Sequence, residues 1–369
     1  MKKIITVLGT RPEIIRLSVI IQKLDSNYDH KLVHTGQNMD SNMRDIFFSE
    51  LNIREPDLSL NMNGQNLGVS LGQLFSELGG YFEAEKPDGV LILGDTNSGL
   101  VSILAKRMHI PVFHLEAGNR SFDLNVPEEI NRKIIDHSSD FNLVYTEFAR
   151  RNLLDEGFHP RHVFLIGSPM REVFNTHMQE IMDSNVLQVI NTKPQEYILL
   201  SLHRQENVNT QERFQKILNN VSSAAKHFGK KVIFSAHPRT LDLLEKWGIK
   251  LDSIFQIMPA LGFVDYNSLQ KNSFVVLSDS GSISEESGIL NFDALTIRQS
   301  MERPEAIESG LISLSSIDSS EIINNINFLK IHQNKEIPNE YLIENTSSRV
   351  INIIYSTLEL YDEWFGIRY

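Results

Sequence analysis

Short apolar runs, each closed by a glycine or a polar residue and followed by an amphipathic stretch, recur along the chain and predict alternating strands and helices. KIITVL reads as a buried strand ending at Gly9, and Pro12 opens a helix through EIIRLSVIIQKL. KLVHT, PDGVLILGD, IPVFHLE, FNLVYT and HVFLIGS read as further strands, while MRDIFFSEL, NLGVSLGQLFSELGGYFEAEK, SGLVSILAKRM, EEINRKIIDH and EFARRNLLDEG carry apolar residues at helical spacing. Six strands with crossover helices predict a doubly wound α/β domain over residues 1–168. After Gly167 the helical PMREVFNTHMQEIMD leads to a second alternation. EYILLSLH, KVIFSAH, IFQIMPA, FVVLSDS, FDALTIR and LISLSS predict a second such domain over 169–354. The final segment, 355–369, is expected to return to the first domain. The simplest arrangement has the two sets of strand ends facing across a cleft, where ligands of nucleotide size usually bind.

Two of these runs stop abruptly in an acid. Asp95 follows LILG and Glu116 follows IPVFHL, so each carboxylate belongs at the carboxyl end of a buried strand, where open parallel sheets bind ligands. A third acidic group, Glu128 with Glu129, follows Pro127 at the predicted start of a helix. Any one of these acids could instead cap the next helix, Asp95 before Thr96 and Asn97 in particular. Together they favour a site.

Anion-binding chemistry is legible in two turns. Gly9, Thr10 and Arg11 offer backbone N–H groups, a helix N-terminus and a guanidinium. Ser278, Asp279, Ser280, Gly281 and Ser282 form a second small-residue turn before a helix that contains Glu285 and Glu286. A diphosphate suits that N-terminus, with a carboxylate one turn on to accept ribose hydroxyls. An ordinary capped helix is the alternative, and Arg298 and Arg303 nearby weigh against it. His203 and His237 close strands and lead into HRQEN and HPRT, each with an arginine.

Composition narrows the classes. A net charge of −12 argues against a nucleic-acid partner. The absence of cysteine excludes disulfides and thiolate chemistry and fits a reducing compartment. The apolar run in MKKIITVLGTRPE is too short for a signal peptide, and no run is long enough to span a membrane, so a cytoplasmic chain without a membrane partner is expected. The 12 histidines are dispersed without H-E-x-x-H, and no metal is expected. Neither G-x-x-x-x-G-K-[ST] nor a G-x-G-x-x-G after the first strand occurs, which counts against kinases, ATPases and dinucleotide oxidoreductases; no cofactor is expected.

GTRPEIIR, LGDTNS, HLEAGNRSFDLNVPEEINR, HRQEN, SDSGSISEE and ERPEA, in this order over nearly the whole chain, resemble the non-hydrolysing UDP-N-acetylglucosamine 2-epimerase family. The resemblance implies a GT-B fold of two Rossmann-like domains, a UDP-N-acetylamino sugar as substrate and a homodimer. It places Asp95, Glu116, Glu128 and His203 in the catalytic group. It assigns Arg11, Ser280, Gly281, Glu286 and Arg303 to the UDP part, with Ser282 in the same turn. Tyr266, or else Phe263, would pack on the uracil. Arg16 joins the substrate-binding set where the family usually has a lysine, which keeps the charge but not the geometry.

The connector NRSFDLNV, from Asn119 to Val126, is shorter than the usual one. It resembles a branch that converts UDP-2-acetamido-2,6-dideoxy-L-talose into UDP-N-acetyl-L-fucosamine for capsule or O-antigen. HTGQN, EEINRKIIDH, the SEESGILNF run and IRQSMERPE resemble the same branch. The UDP-N-acetylglucosamine to UDP-N-acetylmannosamine conversion, a UDP-L-rhamnosamine-type epimerisation and a GT-B glycosyltransferase are the alternatives. The chemistry explains the several acids. The C2 hydrogen of such a sugar has no adjacent carbonyl to acidify it, and loss of UDP from C1 gives a glycal with a double bond between C1 and C2. Elimination needs a base at C2, and re-addition needs an acid on the other face.

Overall fold

The computed structural model describes residues 1–37, 41–61, 66–202, 204–298, 301–332 and 336–368, with the side chains of 41–43, 205 and 239 outside the description. The chain forms two compact units, Met1–Asn175 with Asn339–Tyr369, and Thr176–Pro338. The chain passes from one to the other inside the helix Met170–Asp183, later than residue 168, because that helix begins in the first unit and ends in the second. The return begins at Asn339, ahead of 355.

The first unit holds a seven-stranded sheet. Its strands are β1 (Lys3–Leu8), β2 (Asp29–His34), β3 (Leu58–Ser59), β4 (Gly89–Leu93), β5 (Val112–Leu115), β6 (Phe141–Val144) and β7 (Val163–Leu165). They lie in the order β3-β2-β1-β4-β5-β6-β7, all parallel. Every residue of β4 and β5 is buried, as expected for central parallel strands covered on both faces. The edge strand β3 was not among the six expected strands, because two residues are too few for an alternation to register. Ile5, Val90, Ile92 and Val112 pack with Leu74, Leu78, Phe82 and Val101 from the covering helices to make one core.

Two segments depart from a single regular helix. SGLVSILAKRM opens as a 3-10 turn, Asn97–Leu100, and becomes α-helical only over Val101–Arg107. The C-terminal segment forms two helices, Thr346–Leu358 and Tyr361–Phe365. Lys23 Nζ of the helix Arg11–Asn27 donates to Ser348 Oγ at 2.5 Å, and the Phe365 ring lies edge-on to Phe141 with centroids 5.7 Å apart.

The second unit holds a six-stranded parallel sheet of β8 (Tyr197–Ser201), β9 (Lys231–Ser235), β10 (Phe255–Met258), β11 (Val275–Ser278), β12 (Ala294–Thr296) and β13 (Ile312–Leu314). The order β10-β9-β8-β11-β12-β13 places β8 and β11 at the centre. Ile198, Leu200, Phe214, Leu218, Phe234 and Ile326 are among its core residues. Among the described residues no helix is long and apolar enough to cross a membrane.

Candidate active site

The pairing of Leu93 with Leu115 puts the ends of β4 and β5 side by side, so Asp95 and Glu116 leave the sheet at neighbouring points. Asp95 does not cap the following turn. Thr96 is the N-cap there, and the Asp95 carboxylate instead meets Nη2 of Arg132 at 2.6 Å. Asn131 Nδ2 donates to the Asp95 carbonyl at 3.0 Å. Glu116 carries φ +64, a left-handed backbone that a non-glycine residue adopts only where its surroundings compel it. Two partners help to hold it: Arg16 Nη1 lies 2.5 Å from Oε2, and Asn119 Nδ2 donates to Oε1 at 3.4 Å. The Arg16 side chain is almost fully buried and its guanidinium lies 5.9 Å from the centre of the Tyr145 ring.

The adjacent acids of the helix Pro127–Ser138 have opposite fates. Consecutive helical residues point about 100° apart. Glu129 is fully buried and accepts from Ser121 N–H at 2.8 Å, Ser121 Oγ at 3.0 Å and Phe122 N–H at 3.3 Å. Glu128 is half-buried and makes no hydrogen bond or ion pair among the described residues. Glu129 thus fastens the connector, and Glu128 keeps its carboxylate available.

The turn after β1 is built by Glu13, which sequence reasoning missed although Thr10-x-x-Glu13 is a readable capping box. Its carboxylate accepts from Gly9 N–H at 2.5 Å, Thr10 N–H at 2.8 Å and Thr96 Oγ1 at 2.6 Å, which joins this turn to the residue after Asp95. A Cβ at Gly9 would stand 2.0 Å from Thr35 Oγ1, so packing alone already demands glycine there. Arg11 has its guanidinium 5.9 Å from the centre of the Phe47 ring and no carboxylate partner among the described residues.

Burial pushes the Glu13 carboxyl from an ordinary 4.5 up to about 7, against the opposing pull of hydrogen bonds from Thr96, Gly9 and Thr10. A carboxyl raised on folding keeps a proton that the unfolded chain has lost. Its contribution is therefore most favourable near or below pH 4.5, declines through the window up to 7, and is constant above it. Relative to Glu13→Gln, the wild-type protein should lose on the order of 3 kcal/mol of stability between pH 4.5 and 7.5. Parallel urea titrations of both proteins across that range check this, and a constant difference would show that Glu13 does not titrate there.

In the second unit the turn Ser280–Ser282 follows β11 and leads into the helix Ile283–Leu290. Ser280 and Ser282 hydroxyls lie 2.9 Å apart, and Asp279, fully buried, accepts from Arg204 N–H at 3.0 Å and Asn207 Nδ2 at 3.1 Å. A Cβ at Gly281 would stand 2.7 Å from Glu302 Oε1, so this glycine admits a carboxylate that also pairs with Arg298 at 2.7 Å and Arg204 at 3.3 Å. Arg303 is buried, 3.3 Å from Glu285, and Glu286 accepts from Gln270 Nε2 at 2.6 Å. Phe263 is buried against His177, whereas Tyr266 is half-exposed. His203 lies outside the described residues. Glu302 was missed by sequence reasoning: its pair with Arg298 is only four residues away, but the one with Arg204 exists only in the fold.

The model of the UDP-N-acetylglucosamine 2-epimerase family matches residues 22–355. The UDP-N-acetylglucosamine 2-epimerase of Methanocaldococcus jannaschii is 35% identical over 362 residues, 95% of this chain and 98% of that protein. Its crystal structure in complex with UDP-GlcNAc and UDP superposes with a TM-score of 0.90, covering 96% of this chain and 99% of that one. The structure of UDP-N-acetylglucosamine 2-epimerase from Rickettsia bellii gives a TM-score of 0.89 at 39% identity, over 99% and 100%. The UDP-2,3-diacetamido-2,3-dideoxy-D-glucuronate 2-epimerase of Pseudomonas aeruginosa is 33% identical over 313 residues, 84% of this chain and 86% of that protein. With two parallel-sheet α/β domains of GT-B-like fold and a family match over most of its length, the chain belongs to the UDP-N-acetylglucosamine 2-epimerase family of isomerases.

Proposed function

We propose that this enzyme inverts C2 of a UDP-linked N-acetylamino sugar by eliminating UDP and adding it back. The observation that carries this reading is the placement of Asp95 and Glu116 at neighbouring strand ends, each held by a buried arginine, with Glu128, at the start of the next helix, unpaired among the described residues. Asp95, Glu116 and Glu128 then supply the base and the acid for opposite faces of C2. His203 and Arg11 steady the departing diphosphate. Arg16 holds Glu116 in reach of the sugar. Ser280, Gly281, Ser282, Glu286 and Arg303 take the UDP part and Tyr266 its uracil. The chain works as a homodimer in the cytoplasm, with neither nucleic acid nor membrane as partner.

For the sugar, the connector from Asn119 to Val126 supports UDP-2-acetamido-2,6-dideoxy-L-talose, converted to UDP-N-acetyl-L-fucosamine for capsule or O-antigen. Phe122 and Leu124 of this connector are exposed at 75% and 71%. A second reading, UDP-N-acetylglucosamine to UDP-N-acetylmannosamine, is supported by the names of the M. jannaschii and R. bellii relatives. A UDP-L-rhamnosamine-type sugar differs from the first at C4. An NMR time course with a panel of 6-hydroxy and 6-deoxy UDP-N-acetylhexosamines decides among them. Turnover of the L-talo compound with slow conversion of UDP-N-acetylglucosamine is the expected result, and comparable efficiency on the latter would sink the 6-deoxy assignment. A panel in which no UDP-sugar changes at C2 would sink the epimerase reading itself.

A further inference from the structure

Asp95 is the end of a continuous line of charged contacts. Arg132 Nη2 lies 2.6 Å from the Asp95 carboxylate, and Nη1 of the same guanidinium lies 3.2 Å from Glu129. The Arg132 side chain is 5% exposed and that of Glu129 not at all, so the Arg132–Glu129 pair is desolvated, while Asp95, at 25%, keeps one side towards solvent. Glu129 in turn accepts the N–H groups of Ser121 and Phe122. Phe122 stands at φ +55, a conformation that costs a bulky residue on the order of 1–3 kcal/mol and persists only where its neighbours over-determine it. The anchored connector thus fixes Glu129, Glu129 fixes one edge of the guanidinium, and the other edge faces Asp95.

We propose that Arg132 is a positioning residue for Asp95, and that Glu129 sets Arg132 in place from the connector. The inference rests on the reading of Asp95 as a group that exchanges a proton with C2. A carboxylate on the loop beyond a strand can turn about two side-chain bonds, and a misplacement of about 1 Å is enough to cost about 100-fold in rate. A planar guanidinium shared between two carboxylates removes that freedom, whereas a lysine is a point charge and cannot face both at once. A purely structural arginine would lower stability when removed but would not act on turnover separately from substrate binding.

The test compares Arg132→Ala, Arg132→Lys and Glu129→Gln with the wild-type enzyme on whichever UDP-sugar it epimerises. Arg132→Ala should lower kcat about 100-fold while KM and UDP affinity stay within about threefold. Guanidinium chloride at low millimolar concentration, far below denaturing levels, should restore about tenfold of that loss, and Arg132→Lys should recover little. Glu129→Gln should lower kcat about tenfold at unchanged KM. The proposal is overturned by a kcat for Arg132→Ala within about threefold of wild type, by parallel losses in kcat and UDP binding, or by no response to guanidinium in a folded variant. Should Arg132→Ala fail to fold, Glu129→Gln decides, and an unchanged kcat there overturns the relay. Asp95→Asn is measured alongside: wild-type turnover in that variant would place the failure in the role of Asp95 and not in the relay.

Discussion

Asp95→Asn, Glu116→Gln and Glu128→Gln should each lower kcat by about 100- to 10,000-fold, the range that a positioned acid or base contributes, while UDP affinity by calorimetry stays close to wild type. An amide keeps the shape of the carboxylate but cannot take a proton. The three need not fall equally. Glu116 and Asp95 are held by Arg16 and Arg132, so their amides also take one carboxylate away from a buried guanidinium, Arg132 keeping its contact with Glu129. Glu128 has no such partner among the described residues, and Glu128→Gln should therefore melt closest to wild type. A Glu128→Gln enzyme with undiminished turnover would remove that residue from the chemistry and turn attention to Glu129. Arg303→Ala should behave in the opposite way, weakening UDP binding more than kcat, because the nucleotide is common to ground and transition states.

Epimerisation in deuterated water should place deuterium at C2 of the product to completion, because the proton that leaves C2 resides on a carboxyl group that exchanges with solvent before one returns. The carboxylates of Asp95 and Glu116 are 25% and 15% exposed, sufficient for that exchange during a turnover. NMR of product formed in deuterated water, with mass spectrometry as the count, reads the result. A crippled variant such as Asp95→Asn should also release UDP and the glycal slowly, since an intermediate that cannot be completed has time to leave. Full retention of the C2 hydrogen through complete conversion would overturn the elimination mechanism and demand transfer as hydride.

Much of this architecture could be read from the chain because parallel α/β units are locally encoded. A short apolar run such as GVLIL, bounded by turn residues, reads as a strand covered on both faces, and the polar residue that follows it lies at the carboxyl end of the sheet. That is why Asp95 and Glu116 could be assigned to strand ends, and why Pro127 located the helix that begins with Glu128. The two-residue β3 and the 3-10 opening at Asn97 escaped, since each is decided by neighbours and not by its own pattern.

What the sequence by itself determined is the alternation, the family motifs and the residue types at each strand end, all of which follow from local periodicity and turn chemistry. What only the tertiary structure decided is which of those charges are committed. Glu128 and Glu129 are indistinguishable as letters, yet a helical step turns one under the connector and leaves the other with no partner among the described residues. Arg132 looks like any solvated helix residue until β4 brings Asp95 to it, and Glu302 acquires its meaning only when the turn at Gly281 folds beneath its carboxylate. Ion pairs between residues distant in sequence are formed by packing. No window of the chain contains both partners, so their geometry exists only in the folded molecule.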